Sequence, residues 1–356
     1  MKRFFVGLLS LLLALSLLVM GAGCTTTSPL SFNNTFSSST EDPTGYKEEA
    51  TYTVNYLDNY QNIIKKDKAL DNYASFEFSN GTYQTVLQTI TKSALPEYVQ
   101  SDITLDLPEN ATTIYKYTTK FEIDAKYTID GTDYEYKKDT IETETYFCSY
   151  RLSFAPLYTK TVSGYTTLML SQATATISSG ASVCQTTYNK TSYTMDKKYY
   201  IGRDLTQLSS EFLISESQDE YEYTYKTIVD NTQLLFILRN IALQEETNYN
   251  LPTVSYQYGQ SKYLSCLNTN FSSQSFNLTY NGKAITSQLP VANYTVSLSN
   301  GLNSGMPMYA QVLKEKTGEI NGLITLSYVQ PLICYGDMYC MDVLEYSLTN
   351  FSTTQI

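Results

Sequence analysis

YKYTTKFEIDAKYTIDGTDYEYKKDTIETETYF, residues 115–147, is the stretch that decides the fold. Tyr115, Tyr117, Thr119, Phe121, Ile123, Ala125, Tyr127 and Ile129 hold its first odd positions; Lys116, Thr118, Lys120, Glu122, Asp124, Lys126 and Thr128 hold the even ones. Strict period-two alternation describes a long strand with one apolar and one wet face. Asp130-Gly131 supplies a two-residue turn of the kind that needs positive φ. Folding the chain about it sets Tyr127 opposite Tyr134, Lys126 opposite Glu135 and Asp124 opposite Lys137, so unlike charges meet. Beyond that point Ile141, Thr143, Thr145 and Phe147 have the opposite parity from Tyr134 and Tyr136. One extra residue near Lys137-Lys138, a β-bulge, restores the pattern. Phe121 then meets Ile141, Tyr115 meets Phe147, and Lys120 meets Glu142. So long and bulged a hairpin predicts a mainly β protein: an antiparallel, strongly curved sheet or half-barrel with a few short helices.

Outward from this hairpin the strand signals continue. Residues 165–177 and 183–193 flank Ser178-Ser179-Gly180, which reads as a turn. Tyr221, Tyr223 and Tyr225 alternate with Glu220, Glu222 and Thr224. Residues 275–280 and 283–288 flank Asn281-Gly282, a second hairpin signal. Strands are also expected at 291–298, 309–313, 323–329 and 341–348. Two helices are predicted. One covers 82–95, with Tyr83, Val86, Leu87, Ile90 and Ala94 at helical spacing and Pro96 after them. The other follows a cap at Asp230-Asn231 and runs to Gln244 through Leu234, Leu235, Ile237, Leu238, Ile241 and Ala242; it is apolar nearly all round and therefore buried, and its periodicity alone fits a strand as well. The expected organisation is a leader at 1–23, a tether at 24–45, a mixed segment at 46–110 and an antiparallel β body at 111–356, with a candidate sub-boundary at 248–252.

The chain of 356 residues carries 24 basic and 35 acidic side chains, a formal charge of −11, and 42 % hydrophobic residues, enough for a sizeable core. An acidic chain with four arginines is a poor partner for nucleic acid, because it would release few counterions. Histidine is absent, which removes Ser-His-Asp and Cys-His catalysis and His-ligated zinc. Tryptophan is absent too, while tyrosine occurs 34 times.

Lys2 and Arg3 precede an apolar run from Phe4 to Met20, and Gly21-Ala22-Gly23 end at Cys24. This resembles a bacterial lipoprotein signal peptide, although Gly21 stands where such peptides usually carry Leu. The resemblance implies that Cys24 receives a diacylglyceryl thioether and becomes the mature N-terminus. Residues 25–45 are rich in Ser, Thr and Asn with little to bury, the composition of a disordered tether. Acyl chains on such a tether give a body anchored to a membrane on its extracytoplasmic face. The expected architecture, long bent hairpins with an apolar helix late in the body, is similar to the LolA-like fold of lipoprotein carriers. That resemblance covers residues 110–350 and rests on architecture alone. It implies an unclosed β-barrel whose apolar cavity, covered by helices, takes acyl chains.

Candidate chemistry is sparse. Cys334 and Cys340 enclose a short loop that a disulfide would close, and Cys148 with Cys184 is a second candidate pair. A metal at Cys334, Asp337, Met338 and Cys340 would lack the histidine that soft-metal sites usually add. Glu142 and Glu144 lie on one strand face like a glycosidase pair, but they share the wet face with Lys120, so a solvated surface is the expected reading. Tyr115, Tyr117, Phe121, Tyr127, Tyr134 and Tyr136 are the candidate ligand-facing residues, while core duty in a tryptophan-free β protein accounts for most tyrosines. No metal and no cofactor are expected. The function expected is non-catalytic binding of an apolar or amphiphilic ligand, with partners limited to the membrane and that ligand. The alternative is a surface adhesin or glycan-binding protein with exposed tyrosine rows.

Overall fold

The computed structural model describes residues 45–56, 74–78, 81–97, 99, 114–129, 132–150, 153–170, 175–189, 194–202, 205, 208–220, 229–240, 249–254, 262–275, 277–286, 288–298, 307–313, 324–329 and 344–355. Its strands, in chain order, are β1 (Tyr46–Tyr56), β2 (Ala74–Phe78), β3 (Gly81–Ile90), β4 (Ile114–Ile129), β5 (Thr132–Tyr150), β6 (Ser153–Leu170), β7 (Ala175–Asn189), β8 (Thr194–Gly202) and β9 (Leu213–Glu220). They continue as β10 (Val229–Asp230), β11 (Tyr249–Val254), β12 (Lys262–Ser275), β13 (Leu278–Tyr280), β14 (Lys283–Ile285), β15 (Gln288–Leu298), β16 (Pro307–Leu313), β17 (Ile324–Val329) and β18 (Leu344–Gln355). The α-helix α1 (Leu234–Asn240) follows a 3-10 turn at Asn231–Gln233. The molecule is a mainly β protein built on one large, curved and unclosed sheet.

The β4–β5 hairpin has the register that its alternation predicts. Tyr127 pairs with Tyr134, Lys126 with Glu135, Phe121 with Ile141, Lys120 with Glu142 and Tyr115 with Phe147. Between the pairs Ile123↔Asp139 and Ala125↔Tyr136 the β5 side carries the extra residue, at Lys137-Lys138. Over residues 116–122 and 142–144 the even face is ion-paired, the Lys120 Nζ 2.9 Å from Glu122 and 3.6 Å from Glu142 and Lys116 3.9 Å from Glu144, while at its end Ile114, Tyr146 and Cys148 are buried in an outer cluster. Glu142 and Glu144 therefore sit on the outer face beside lysines, Glu142 solvated and Glu144 half-buried, where it accepts from the Tyr146 hydroxyl at 2.5 Å.

From this hairpin the sheet extends both ways. On one side β5, β6, β7, β8 and β9 follow as a meander. On the other β3, β1, β18, β17, β16, β15, β12, β11 and β10 follow in space. β1 lies between β3 and β18, so the first described strand pairs with the last, Tyr46 opposite Gln355. Tyr249–Val254 belongs to the same continuous ladder. No ladder among the described residues joins β9 to β10, so the barrel stays open.

Three expectations change. Residues 81–90 form strand β3 where a helix was expected; Gly81, Tyr83, Thr85, Leu87 and Thr89 alternate inward, and only Lys92–Ala94 makes a single 3-10 turn. Helical spacing would leave Thr85 and Thr89 off the apolar stripe of Tyr83, Val86, Leu87, Ile90 and Ala94, whereas both are buried on the inner face. β-Branched Thr82, Thr85, Val86, Thr89 and Ile90 favour extended backbone, and two flanking strands hold it there. Ser178-Ser179-Gly180 is not a turn: it lies within β7, paired with Thr167, Thr166 and Tyr165. Cys148 and Cys184 lie on opposite faces of the sheet, Cys148 in an outer cluster with Leu95, Val99, Tyr146 and Leu157 and Cys184 in the inward row opposite Thr161, so they cannot pair with each other. The Asn281-Gly282 turn forms as expected, with φ of 45° and 76° at the two residues. Its hairpin is pinned to β18, where the Asn281 N–H donates to the Phe351 carbonyl at 2.9 Å.

The leader, Cys24 and its tether up to residue 44, the Tyr221/Tyr223/Tyr225 row, and Cys334 and Cys340 lie outside the described residues. No described helix is long and apolar enough to cross a membrane.

Two glycines separate steric from conformational cost. A Cβ on Gly81 would lie 2.6 Å from the Glu122 carbonyl oxygen, inside the β3–β4 ladder, whereas one on Gly282 would meet open space but at positive φ. Gly81→Ala is expected to cost about 1–3 kcal/mol by overpacking, and Gly282→Ala about 1–2 kcal/mol from left-handed backbone alone. Urea denaturation of both variants checks this; wild-type stability in Gly81→Ala would refute the register drawn here.

Candidate functional site

The sequence Asp230-Asn231-Thr232-Gln233, directly before an apolar run, satisfies the first turn of a helix reciprocally. The Thr232 backbone N–H donates to Asp230 Oδ1 at 2.9 Å, and the Asp230 N–H donates to Gln233 Oε1 at 2.9 Å. This is a capping box, with the side chain of each partner covering a backbone group that the helix start leaves open. The cap read from the sequence at Asp230-Asn231 thus forms, and α1 follows it.

Asp230 does more than cap. It is fully buried, and long-range neighbours surround its carboxylate. Thr232 Oγ1 donates to Oδ1 at 2.7 Å, Thr159 on β6 donates to Oδ2 at 3.3 Å, and the Tyr188 hydroxyl on β7 donates to Oδ2. Thr145 on β5 is tied to Thr232 at 2.7 Å. The turn before α1 is thereby clasped by hydroxyls from three adjacent strands. Burial pushes the Asp230 carboxyl above the ordinary carboxylate range, and the Tyr188, Thr232 and Thr159 hydrogen bonds pull against that rise. The same surroundings push the Cys184 thiol up to about 12, first through burial and then through Asp230. At neutral pH it is a protonated, unreactive side chain.

The strands that hold this clasp carry an ordered inner face. One row crosses six strands as Ala50, Thr85, Thr119, Thr143, Thr161 and Cys184, all buried. Within it the Thr119 and Thr143 hydroxyls are 2.6 Å apart. A parallel row runs Leu87, Tyr117, Thr145, Thr159 and Thr186. On the far side of the hydroxyl row lie Tyr52, Tyr83, Phe121 and Ile141. A band of small hydroxyls therefore lies between aromatic and apolar flanks.

α1 fills part of that face. Phe236, Ile237 and Leu238 are consecutive and fully buried, so the helix is enclosed on several sides at once. The Phe236 ring stands 4.9 Å from Phe147, 5.9 Å from Tyr117 and 6.2 Å from Tyr115, and Tyr115 stacks on Phe147 at 5.2 Å. Phe121 lies elsewhere on the same face, 6.1 Å from Tyr346 of β18, which stacks on Tyr83 at 4.7 Å.

Of the residues singled out from the sequence, the structure therefore brings Tyr115 and Tyr117 together around one foreign side chain and sets Phe121 against another. All three are buried. The side chains of Tyr127, Tyr134 and Tyr136 lie outside the described part; only their backbone register is fixed. Asp230, Tyr188, Thr159 and Thr145 were missed as a group. The local signal for Asp230 was the capping box, and nothing local marks its partners. What this arrangement offers chemically is shape, aromatic surface and hydroxyls.

No protein-family model and no curated protein matches the chain. Among solved structures, it is similar to the crystal structure of a beta-barrel-like protein of a domain of unknown function from Brucella abortus. The two are 10 % identical with a TM-score of 0.39, over 86 % of this chain and 98 % of that one.

The clasp predicts a pH dependence. A carboxyl whose folded pKa lies above its unfolded value binds its proton more tightly in the native state. Its stabilising contribution is present at low pH and is lost as pH rises through the folded pKa. Asp230→Asn, which cannot ionise, should therefore gain on wild type as pH is raised from the ordinary carboxylate range to neutrality, as read by urea denaturation across that series. A constant difference would contradict the desolvated clasp. Tyr188→Phe, which removes one of the two hydrogen bonds to Asp230 Oδ2 and leaves that of Thr159, should cost about 1.5–3 kcal/mol.

Proposed function

We propose that the chain is a membrane-anchored extracytoplasmic lipoprotein. In this reading it binds an apolar or amphiphilic ligand on the concave side of its open barrel, without catalysis. The observation that carries this is the inner face itself: an aromatic slot of Tyr115, Tyr117 and Phe147 beside a band of threonine hydroxyls. Such a two-toned surface suits a molecule with an apolar body and a polar end. Apolar lining orients little, and a few fixed polar groups set the pose. Phe236 fills that slot here, so a ligand that takes it would have to displace the Phe236 ring. The membrane anchor rests on the leader and Cys24, and the Ser/Thr/Asn-rich segment 24–45 would act as the tether that holds the body off the bilayer.

The second reading, a surface adhesin or glycan binder with exposed tyrosine rows, is served less well by buried Tyr115 and Tyr117. An exposed row is what stacking on a sugar ring would require.

Two measurements test the proposal separately. Native mass spectrometry of protein purified without detergent should show a co-purifying lipid or other amphiphile, and Tyr117→Ala should reduce its occupancy. A clean apo mass together with failure to bind hydrophobic dyes would end the ligand reading. Intact mass of the membrane-extracted protein should place diacylglyceryl on Cys24, and Cys24→Ala should release the protein from the membrane fraction. An unmodified Cys24 in the wild type would end the anchor reading while leaving the binding one standing.

A further inference from the structure

The two ends of the sheet are finished differently. At one end β10 is only two residues long and passes straight into the capped, buried turn before α1. At the other end stands β9, eight residues of Leu-Ile-Ser-Glu-Ser-Gln-Asp-Glu. Among the described residues β9 pairs with β8 alone, and five consecutive residues, Ile214 to Gln218, are exposed, which takes in both of its faces. Among the described residues its ion pairs and side-chain hydrogen bonds run to β8: Lys198 lies 3.6 Å from Glu216, Lys197 lies 3.2 Å from Asp219, and Gln218 donates to Asp196 at 2.7 Å. Its outer row of backbone N–H and C=O groups faces away from these. Ile214, the extra residue where the β8–β9 register shifts, is 62 % exposed, and Ile201 near it is 37 % exposed; they are the exposed large apolar side chains among the described residues.

A bulge and charges are how natural edge strands avoid one another. Here they also determine which strand is accepted. β9 holds Glu216, Asp219 and Glu220 and no lysine or arginine, and exposed Glu211 precedes it. A second copy of β9 laid against it would set three acids against three acids. An extended segment with Lys or Arg at alternate positions would complete the backbone ladder, add positive charge beside Glu216 and Glu220, and lay its intervening apolar residues toward Ile214 and Ile201.

We infer that β9 is a strand-addition site for an extended basic segment of another protein. Main-chain hydrogen bonds supply the affinity and the acidic edge supplies the selection. This is independent of any ligand held on the concave face.

The test uses the full chain and a synthetic peptide of β9's length with Lys and Val alternating; its control has Glu in place of Lys. The basic peptide should bind at low salt and weaken as salt rises, while slowing amide exchange along residues 213–220. Glu216→Lys with Glu220→Lys should weaken it by about tenfold or more and admit the acidic peptide. Because N–H groups alternate along a strand, one of Ser217→Pro and Gln218→Pro removes an outward donor. That variant should lose binding with its thermal midpoint unchanged. Absence of binding, equal binding of the two peptides, or binding indifferent to the charge reversal would overturn the inference. So would a concentration-dependent dimer held through β9, which would mean that the edge belongs to a second copy.

Discussion

The structure depends on the two-residue repeat of the pleat, held in phase by one inserted residue. On β4 and β5 the pleat sends every second side chain inward, and the extra residue at Lys137-Lys138 lets both halves of β5 keep their apolar set on the same side. Without it, Ile141, Thr143, Thr145 and Phe147 would turn outward and Glu142 and Glu144 inward. Every row described on the inner face continues this phase across neighbouring strands, so the hairpin sets the inside and outside of the half-sheet from β3 to β8.

That phase explains the odd economy of the interior. Threonine fills positions where a larger apolar residue would be expected, and its branched side chain suits the pleat while its hydroxyl needs a partner. Some partners are other threonines, as at Thr119 and Thr143. Others belong to the clasp on Asp230, where hydroxyls from β5, β6 and β7 converge on the turn before α1. A buried carboxylate is costly without donors, and this one has donors on both oxygens. The result is a helix fastened at its start by polar contacts and seated by Phe236 on aromatic ones.

The ends of the sheet reflect the same division. The end carrying β10 is folded inward, its last residue committed to the clasp. The end carrying β9 is left in solvent and guarded by acids and a bulge. An open barrel has two edges to manage, and here one is buried and the other charged.

Much of this was written locally. The β4–β5 register, the bulge, the Asn281-Gly282 turn and the Asp230 cap follow from residues a few positions apart or mirrored across a tight turn, where pleat parity and turn geometry leave little choice. β3 was misread because Thr85 and Thr89 count as polar in a helical pattern, and only pairing with β1 and β4 makes them interior. The partners of Asp230 were not legible at all: Tyr188 is 42 residues away, Thr159 is 71, and Thr145 lies 87 residues from Thr232. A sequence fixes which face of a strand is apolar because neighbouring side chains alternate by covalent geometry. Which distant faces meet is set by how far the sheet bends, and that is a property of all its strands together.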